Sequence, residues 1–369
     1  MTMENHPSSR ENLQNFLSLQ RAFVSKRIPA TGSINLTQRC NLNCVHCYLG
    51  APSSEFRSAQ DELNTEQWLS IIDQITAAGC LHLLFSGGEV LLRPDFESIY
   101  KKAIHNGLLV TVFTNGTLLN NRSLSLFEDL PPQIVEISLY GASANSYETI
   151  TGVRGSFEKC LAGIRSLFKR KIKFKLKTMI LAQNSHELAN IKNIADEFGV
   201  DFIMDPAISA CLNGDKAPLV HRVAASEAVR ADFVEPDNVK RWQDYYLLEK
   251  NEPESDFLYS CGAGLTHFHI DPAGSLLPCM MLTKPSFDLT KGDFMDGWLN
   301  EIHSIRKIKA GSRYRCNQCD KSKFCSTCPA FFELENGSAE KHSQYLCDLA
   351  ENRLKIIKEK LHIDENPMT

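Results

Sequence analysis

This sequence predicts an α/β fold: a partial (β/α)6 barrel followed by a small cysteine-rich α+β domain. Three observations predict it. Short β-rich runs alternate with amphipathic helices between residues 33 and 206, and polar motifs fall just after several of those runs. From Asp256 the pattern changes to short strands, turns and paired cysteines. Strands alternating with helices of this length imply a parallel sheet, since each crossover must return the chain to the same edge. Six strands are fewer than the eight of a closed barrel, and ligands in such folds sit at the carboxyl ends of the strands.

The first strand is read at Ser33–Gln38. The helix after it begins near Asn64 or Thr65, carries Trp68, Ile71, Ile72 and Ile75 on one face, and stops at Gly79. Strand Leu81–Phe85 leads to a helix from Pro94, with Phe96, Ile99, Tyr100, Ala103 and Ile104 at helical spacing and Gly107 past its end. Strands Leu109–Phe113 and Ile134–Leu139 precede a helix marked by Phe157, Leu161, Ile164 and Phe168. Strand Ile172–Ile180 precedes a helix marked by Leu188, Ile191, Ala195 and Phe198, and Val200–Met204 is the last strand. Proline at a helix start and glycine just past its end are the expected punctuation. Residues 1–32 are an N-terminal extension, 33–206 the barrel, 207–255 a polar connection with a helix around Val239–Leu248, and 256–350 the cysteine-rich domain. A helix at about 347–361, with Ala350, Leu354, Ile357 and Leu361 on one stripe, closes the chain, and 351–369 is read as C-terminal helix and tail. Both ends, 1–11 and 362–369, are expected to be disordered.

Hydrophobic residues at 43% and charged residues at 23% are ordinary for a globular protein. A net charge of −4 gives no pull toward nucleic acid or anionic lipid. No apolar run approaches the ~20 residues that span a bilayer, and Met1 to Arg10 lacks the apolar stretch of a signal peptide. The expectation is a cytoplasmic protein without nucleic-acid or membrane partners. In such a reducing compartment the 13 cysteines point to metal or redox duty rather than disulfides. Three lie at 40–47 and seven at 261–347. Cys80 and Cys160 read as buried small residues.

Cys40-x3-Cys44-x2-Cys47 follows the first strand. Three thiolates are one short of the four that a cubane iron–sulfur cluster takes, which leaves one iron open. A four-ligand zinc site completed by His46 is the alternative. After the second strand comes Ser86-Gly-Gly-Glu89: the glycines permit close backbone approach and positive φ, and the carboxylate can accept from a ligand's ammonium group. Ser-x-x-Glu also matches a helix capping box. Asn115 and Thr117 follow the third strand and are candidate cofactor or substrate neighbours, although Asn-Gly is also a generic turn. Ser138 ends the fourth strand. In the run from Lys169 to Lys177, Ile172, Phe174 and Leu176 alternate with Lys173, Lys175 and Lys177, which reads as a solvated strand entry ahead of a contact for an acidic peptide.

The triplet together with Gly-Gly-Glu resembles the radical SAM (S-adenosylmethionine) enzymes over about residues 33–206. The resemblance implies that Cys40, Cys44 and Cys47 hold a [4Fe–4S] cluster whose open iron binds the methionine end of the cofactor. It implies that Gly87, Gly88 and Glu89 line the cofactor and that Tyr48 neighbours its adenine. Ser138 matches the position that often binds the cofactor's carboxylate, and Arg154 could reach the same group. The chain has Tyr140 where the family more commonly has an acidic residue. Cys261, Gly274-x4-Cys279, Cys316-x2-Cys319-x5-Cys325-x2-Cys328 and Cys347 resemble the SPASM extension of peptide-modifying members, which carries two auxiliary iron–sulfur clusters. The last pair is one residue tighter than the usual spacing. By the family's interleaved pattern Cys316, Cys319, Cys325 and Cys347 hold one cluster. Cys261, Cys279 and Cys328 hold the other, its fourth position left to a non-cysteine ligand, Cys211 or substrate. Paired C-x2-C units also build zinc ribbons.

The function implied is a peptide maturase: a 5′-deoxyadenosyl radical abstracts hydrogen from a ribosomal peptide or protein and leads to a crosslink, an epimer or an oxidised side chain. The expected partners are that substrate, a separate small leader-peptide-binding protein, and a reductant such as flavodoxin or ferredoxin. The leader-binding protein is expected to be separate because 32 residues precede Ser33. Formylglycine formation, as in sulfatase maturases, and cofactor biosynthesis are the enzymatic alternatives. A zinc-stabilised scaffold is the non-enzymatic one. No general base is assigned; Asp205, Glu136, Asp215 and His267 are the candidates.

Overall fold

A computed structural model describes residues 21–50, 62–234, 236–247 and 256–361. The expected disorder at 1–11 and 362–369 lies outside the described residues. Six parallel strands form the barrel sheet: β1 (Thr31–Asn35), β2 (His82–Ser86), β3 (Leu109–Thr114), β4 (Ile134–Ser138), β5 (Phe174–Met179) and β6 (Phe202–Asp205). Each pairs with its sequence neighbour. The sheet then continues past β1: β7 (His267–Ile270) pairs parallel to it, and β8 (Ser275–Leu277) and β9 (Phe287–Asp288) add on antiparallel. The order is β6-β5-β4-β3-β2-β1-β7-β8-β9. The cysteine-rich segment therefore shares the barrel's sheet.

Alternation along the strands divides the sheet into two faces. Ile34, Phe85, Val110, Val112, Ile137 and Leu176 are fully buried on the face that meets the helices. The opposite face carries Ser33, Asn35, Glu136, Ser138, Lys175 and Lys177; Glu136 is in register with Lys175, and Ser138 with Lys177. The helix-side core forms as the stripes predict. It takes Trp68, Ile71, Ile72 and Ile75 from α1 (Thr65–Ala77), and Phe96, Ile99, Tyr100 and Ala103 from α2 (Phe96–His105). Two helices were not anticipated. α3 (Asn121–Asp129) starts from an Asn120–Ser123 capping box, and α4 (Ala144–Thr151) runs from Ser143 to a left-handed Gly152. The box escapes the usual Ser/Thr…Glu/Gln signature. α5 (Ser156–Lys169) buries Phe157, Leu161 and Ile164, but Phe168 is 52% exposed, meeting Phe198 edge-on at 5.3 Å. α6 (Leu188–Phe198) buries Leu188, Ile191 and Ala195.

The connection folds as α7 (Ala225–Asp232) and α8 (Pro236–Leu247), and the chain closes with α9 (Pro329–Asn336) and α10 (Gln344–Lys360). The buried stripe of α10 is Leu346, Leu349, Ala350, Arg353 and Ile357, so an arginine occupies a core position where Leu354 was expected. Phe268 of β7 lies over Gly32 of β1, where a Cβ would fall 2.2 Å from its ring. It packs on Phe294 at 4.9 Å, which stacks on Trp298, and Trp298 Nε1 donates to the Arg27 carbonyl at 2.7 Å. No helix among the described residues is long and apolar enough to cross a membrane.

Candidate active site

The Cys40–Cys47 loop leaves β1 and is tied down on two sides. Asn43 and Val45 N–H groups donate to the Thr151 and Ile150 carbonyls at the end of α4 (2.8 and 2.9 Å). Gly152 is left-handed there, and a Cβ would meet the Asn43 carbonyl at 2.9 Å. On the other side Asn115 Nδ2 donates to Asn41 Oδ1 (2.9 Å) and approaches Cys40 Sγ at 3.9 Å, while Asn41 Nδ2 donates to Thr117 Oγ1 at 2.8 Å. Asn115 and Thr117 thus contact the loop itself. Beneath it, buried Arg93 donates to the Leu36 carbonyl (2.8 Å) and the Leu63 carbonyl (3.1 Å) and pairs with Asp95 at 2.7 Å. Arg93 and its neighbour Glu62, 3.8 Å away, were not read from sequence.

Gly87 and Gly88 serve a close approach, and its object is the chain. A Cβ on Gly87 would lie 2.2 Å from the Thr37 carbonyl oxygen and one on Gly88 2.1 Å from that of Arg39. Gly88 and Glu89 N–H groups donate to those same carbonyls at 2.7 and 2.8 Å. Gly87 also sits at φ 137°, a conformation that favours glycine. Ser86 does not open a capping box. Glu89 is itself the cap of a short turn, accepting from Leu91 N–H at 3.2 Å. Its fully buried carboxylate also accepts from Thr114 Oγ1 (2.7 Å) and the Asn115 N–H (2.8 Å). Burial pushes the carboxyl above its ordinary range, against those three donors.

Tyr140 faces the loop. Burial, then the nearby Cys44, Cys47 and Cys40 thiols, push its hydroxyl well above the ordinary range, against a hydrogen bond with Ser138. Ser138 is therefore beside the thiols through Tyr140. The His46 ring packs edge-on against Tyr140 at 4.6 Å, and burial, with His221 adding, holds it down at about 4. Tyr48 hydroxyl receives Asn35 Nδ2 at 3.5 Å. Arg154 is exposed on the turn after α4. Cys211 donates its thiol to the Cys47 carbonyl at 3.5 Å, which places it beside the first loop. Among the described residues no three His, Cys, Asp or Glu side chains form a group that could hold a single metal ion. A cubane spreads its thiolates over separate irons. Three thiols on a loop pinned at both flanks suit that arrangement, with one iron left for another ligand.

The lysine run is not a solvated strand entry at its end. Lys175 and Lys177 share the concave face with Glu136, pairing with its carboxylate at 2.7 and 3.8 Å, and Lys177 Nζ lies 3.0 Å from the Phe113 ring centroid. Burial holds the Lys177 ammonium down at about 8, against the attraction of Glu136 and Asp205. The general-base candidates are all engaged: Asp205 caps Ala207 at 2.8 Å, Asp215 caps Ala217 at 3.0 Å, and His267 Nδ1 meets Thr31 Oγ1 at 3.2 Å.

The C-terminal cysteines gather into two neighbourhoods. Cys316 is pushed up to about 11 by burial and then by Cys325, Cys347 and Cys319. Cys279 is pushed up to about 12 by burial, with Cys328 and Cys261 adding. Tyr259 stands near Cys279, Cys328 and Cys261, and Tyr314 near Cys316, Cys325 and Cys328. Sequence reasoning missed Arg353: Nη1 donates to the Phe324 carbonyl at 3.0 Å, next to Cys325, and the guanidinium lies 5.0 Å from the Trp242 ring.

A parallel α/β sheet with three thiols at the exit of its first strand and Gly-Gly-Glu at the exit of its second defines a class of enzyme. Residues 34–197 match the radical SAM superfamily, so the chain carries a radical SAM domain. It is 27% identical to an AdoMet-dependent heme synthase of Methanosarcina barkeri, over 80% of this chain and 89% of that protein. It is 26% identical to a PqqA peptide cyclase of Bradyrhizobium diazoefficiens, over 84% of this chain and 81% of that protein. In fold it is similar to Streptococcus suis SuiB bound to the precursor peptide SuiA. There the TM-score is 0.70 and the identity 17%, over 94% of this chain and 84% of SuiB.

Proposed function

We propose that this chain modifies a ribosomally made peptide, with Cys40, Cys44 and Cys47 holding a [4Fe–4S] cluster and S-adenosylmethionine. When bound, that pair supplies the 5′-deoxyadenosyl radical that abstracts hydrogen. Two auxiliary clusters would be held by Cys316, Cys319, Cys325 and Cys347 and by Cys261, Cys279 and Cys328. The chain's own residues do the positioning. Glu89 and Asn115 hold the loop in place, Tyr140 walls the thiols, and Gly87, Gly88, Tyr48, Ser138 and Arg154 would surround the cofactor. A separate leader-binding protein and a reductant such as flavodoxin or ferredoxin are the partners of this reading. The observation that carries it is the sorting of seven thiols into two neighbourhoods beside the barrel. The similarity to a peptide cyclase over 84% of the chain supports it.

A second reading, cofactor biosynthesis on a tetrapyrrole, is favoured by the similarity to heme synthase over 89% of that relative. Lys175 and Lys177 on the concave face would hold a substrate carboxylate in either case. The test is anaerobic reconstitution and a reductant-dependent assay for 5′-deoxyadenosine. It is run with a peptide encoded beside the gene and with an iron-coproporphyrin. Stimulation by the peptide alone supports the first reading, and stimulation by the tetrapyrrole alone replaces it with the second.

A further inference from the structure

Residues 306 to 315 contain five basic side chains, Arg306, Lys307, Lys309, Arg313 and Arg315, and no acidic one, in a chain whose net charge is −4. Lys307, Lys309, Arg313 and Arg315 are exposed. This stretch lies directly beside the exposed Cys261. Arg306 Nη1 donates to the Cys261 carbonyl at 2.7 Å. The backbone pairs with 256–258: Leu258 N–H donates to the Ile308 carbonyl (2.9 Å) and Ala310 N–H to that of Asp256 (2.8 Å). Two large apolar side chains surface there, Phe257 at 41% and Ile308 at 43% exposure. At the far end Arg315 adjoins Cys316, and the intervening Tyr314 is buried next to Cys316, Cys325 and Cys328. Among the described residues, acidic groups near this stretch include Asp256, exposed, Glu333 by Tyr259, and Glu340, which takes the Gly311 N–H at 2.8 Å and lies 3.9 Å from Arg313.

An apolar centre ringed by cations over a thiol exposed to solvent has the make-up of a transient docking surface, where charge steers the encounter and a small apolar contact completes it. We infer that this surface docks an acidic one-electron carrier protein against the Cys261, Cys279 and Cys328 group. The inference rests on the reading that those cysteines hold an iron–sulfur cluster. In the exchange the reduced carrier loses one electron and the bound cluster gains one; no proton or group moves. The carrier is identified by its charge: five cations in ten residues repel a basic partner, leave a neutral one unsteered and attract an acidic one.

The experiment titrates the reconstituted full chain with an acidic flavodoxin, comparing the wild type with Lys307→Glu/Lys309→Glu/Arg313→Glu. A Lys307→Gln/Lys309→Gln variant gives the graded case. Wild-type affinity is expected to fall steeply as salt rises from low to high ionic strength. The charge-reversed variant is expected to lose about tenfold or more at low salt, and the glutamine variant an intermediate amount. Iron content and dithionite-driven 5′-deoxyadenosine formation are expected to stay at the wild-type level in both. Flavodoxin affinity unchanged within about twofold on charge reversal would overturn the docking surface, as would salt-independent binding. Binding of an RNA oligomer that is lost in the variant while flavodoxin binding persists would reassign the patch and also overturn it. Loss of dithionite-driven cleavage in the wild type itself strikes the proposed function instead, so the two failures are distinguishable.

Discussion

The Glu89 carboxylate accepts the Asn115 backbone N–H at 2.8 Å, joining the rim of β2 to the rim of β3 behind the cysteine loop. In Glu89→Ala the Thr114 hydroxyl and the Asn115 N–H both lose their buried acceptor. An unsatisfied buried donor costs about 1–3 kcal/mol, so the variant is expected to lose roughly 2–4 kcal/mol by urea unfolding of the cluster-free protein. A loss below about 0.5 kcal/mol would mean the carboxylate does not organise the rim.

Asn115 tests the loop rather than the fold. Asn115→Asp keeps the acceptor for Thr117 N–H at 2.9 Å but removes the donor to Asn41 and Cys40. Iron held on the first loop is expected to be released several-fold faster to a chelator, with unfolding little changed. Equal release rates in the two proteins would refute the tether.

Gly88→Ala drives a Cβ to 2.1 Å from the Arg39 carbonyl oxygen, backbone against backbone. No rotamer relieves that contact, so soluble yield and thermal midpoint should fall sharply even without cofactor. A variant with wild-type melting would show that the two rims separate easily.

Lys177 supplies a pH dependence. Its ammonium is held near 8 in the folded chain, below lysine's ordinary 10.5. Below pH about 8 the folded chain carries a disfavoured cation. Between about 8 and 10.5 the unfolded chain holds the proton that the folded chain has released, and stability rises with pH. Lys177→Met is expected to stabilise at pH 7 by up to ~3 kcal/mol, and that gain should shrink at pH 10. Denaturant unfolding of both proteins at the two pH values decides it; a gain that grows with pH reverses the sign.

The two thiol neighbourhoods predict how iron is lost. Cys316→Ala and Cys347→Ala, singly or together, should each remove about four of about twelve irons. Cys316→Ala combined with Cys279→Ala should remove about eight. Equal losses from the two double variants, by iron and acid-labile sulfide analysis, would dissolve the grouping.

The six parallel strands, the buried stripes of α1, α2, α5 and α6, and the four polar rims were legible because period-2 and period-3.6 patterns report which face meets the core. The sequence did not reveal what those rims touch. Gly87 and Gly88 read as permitting the close approach of a ligand, and the sequence did not show that the Thr37 and Arg39 carbonyls lie where their Cβ atoms would be. Lys175 and Lys177 read as solvated because alternation tells which residues share a face and not whether that face is enclosed. The pairing of Lys175 with Glu136 requires two strands and their register. Arg353 and Arg93 were overlooked for a related reason: the Phe324 and Leu36 carbonyls that they meet are distant in sequence.

The parallel pairing of β7 with β1 joins Thr31 to His267 across more than two hundred residues. As the chain leaves the ribosome, β1 acquires its β2 neighbour early, while its other flank stays an unpaired row of amides until the last third is made. Such distant closure is slow. The nascent barrel thus has a sticky border that only its own late-arriving hairpin can cover, and a protein shortened before residue 256 would keep that border exposed as a site for self-association.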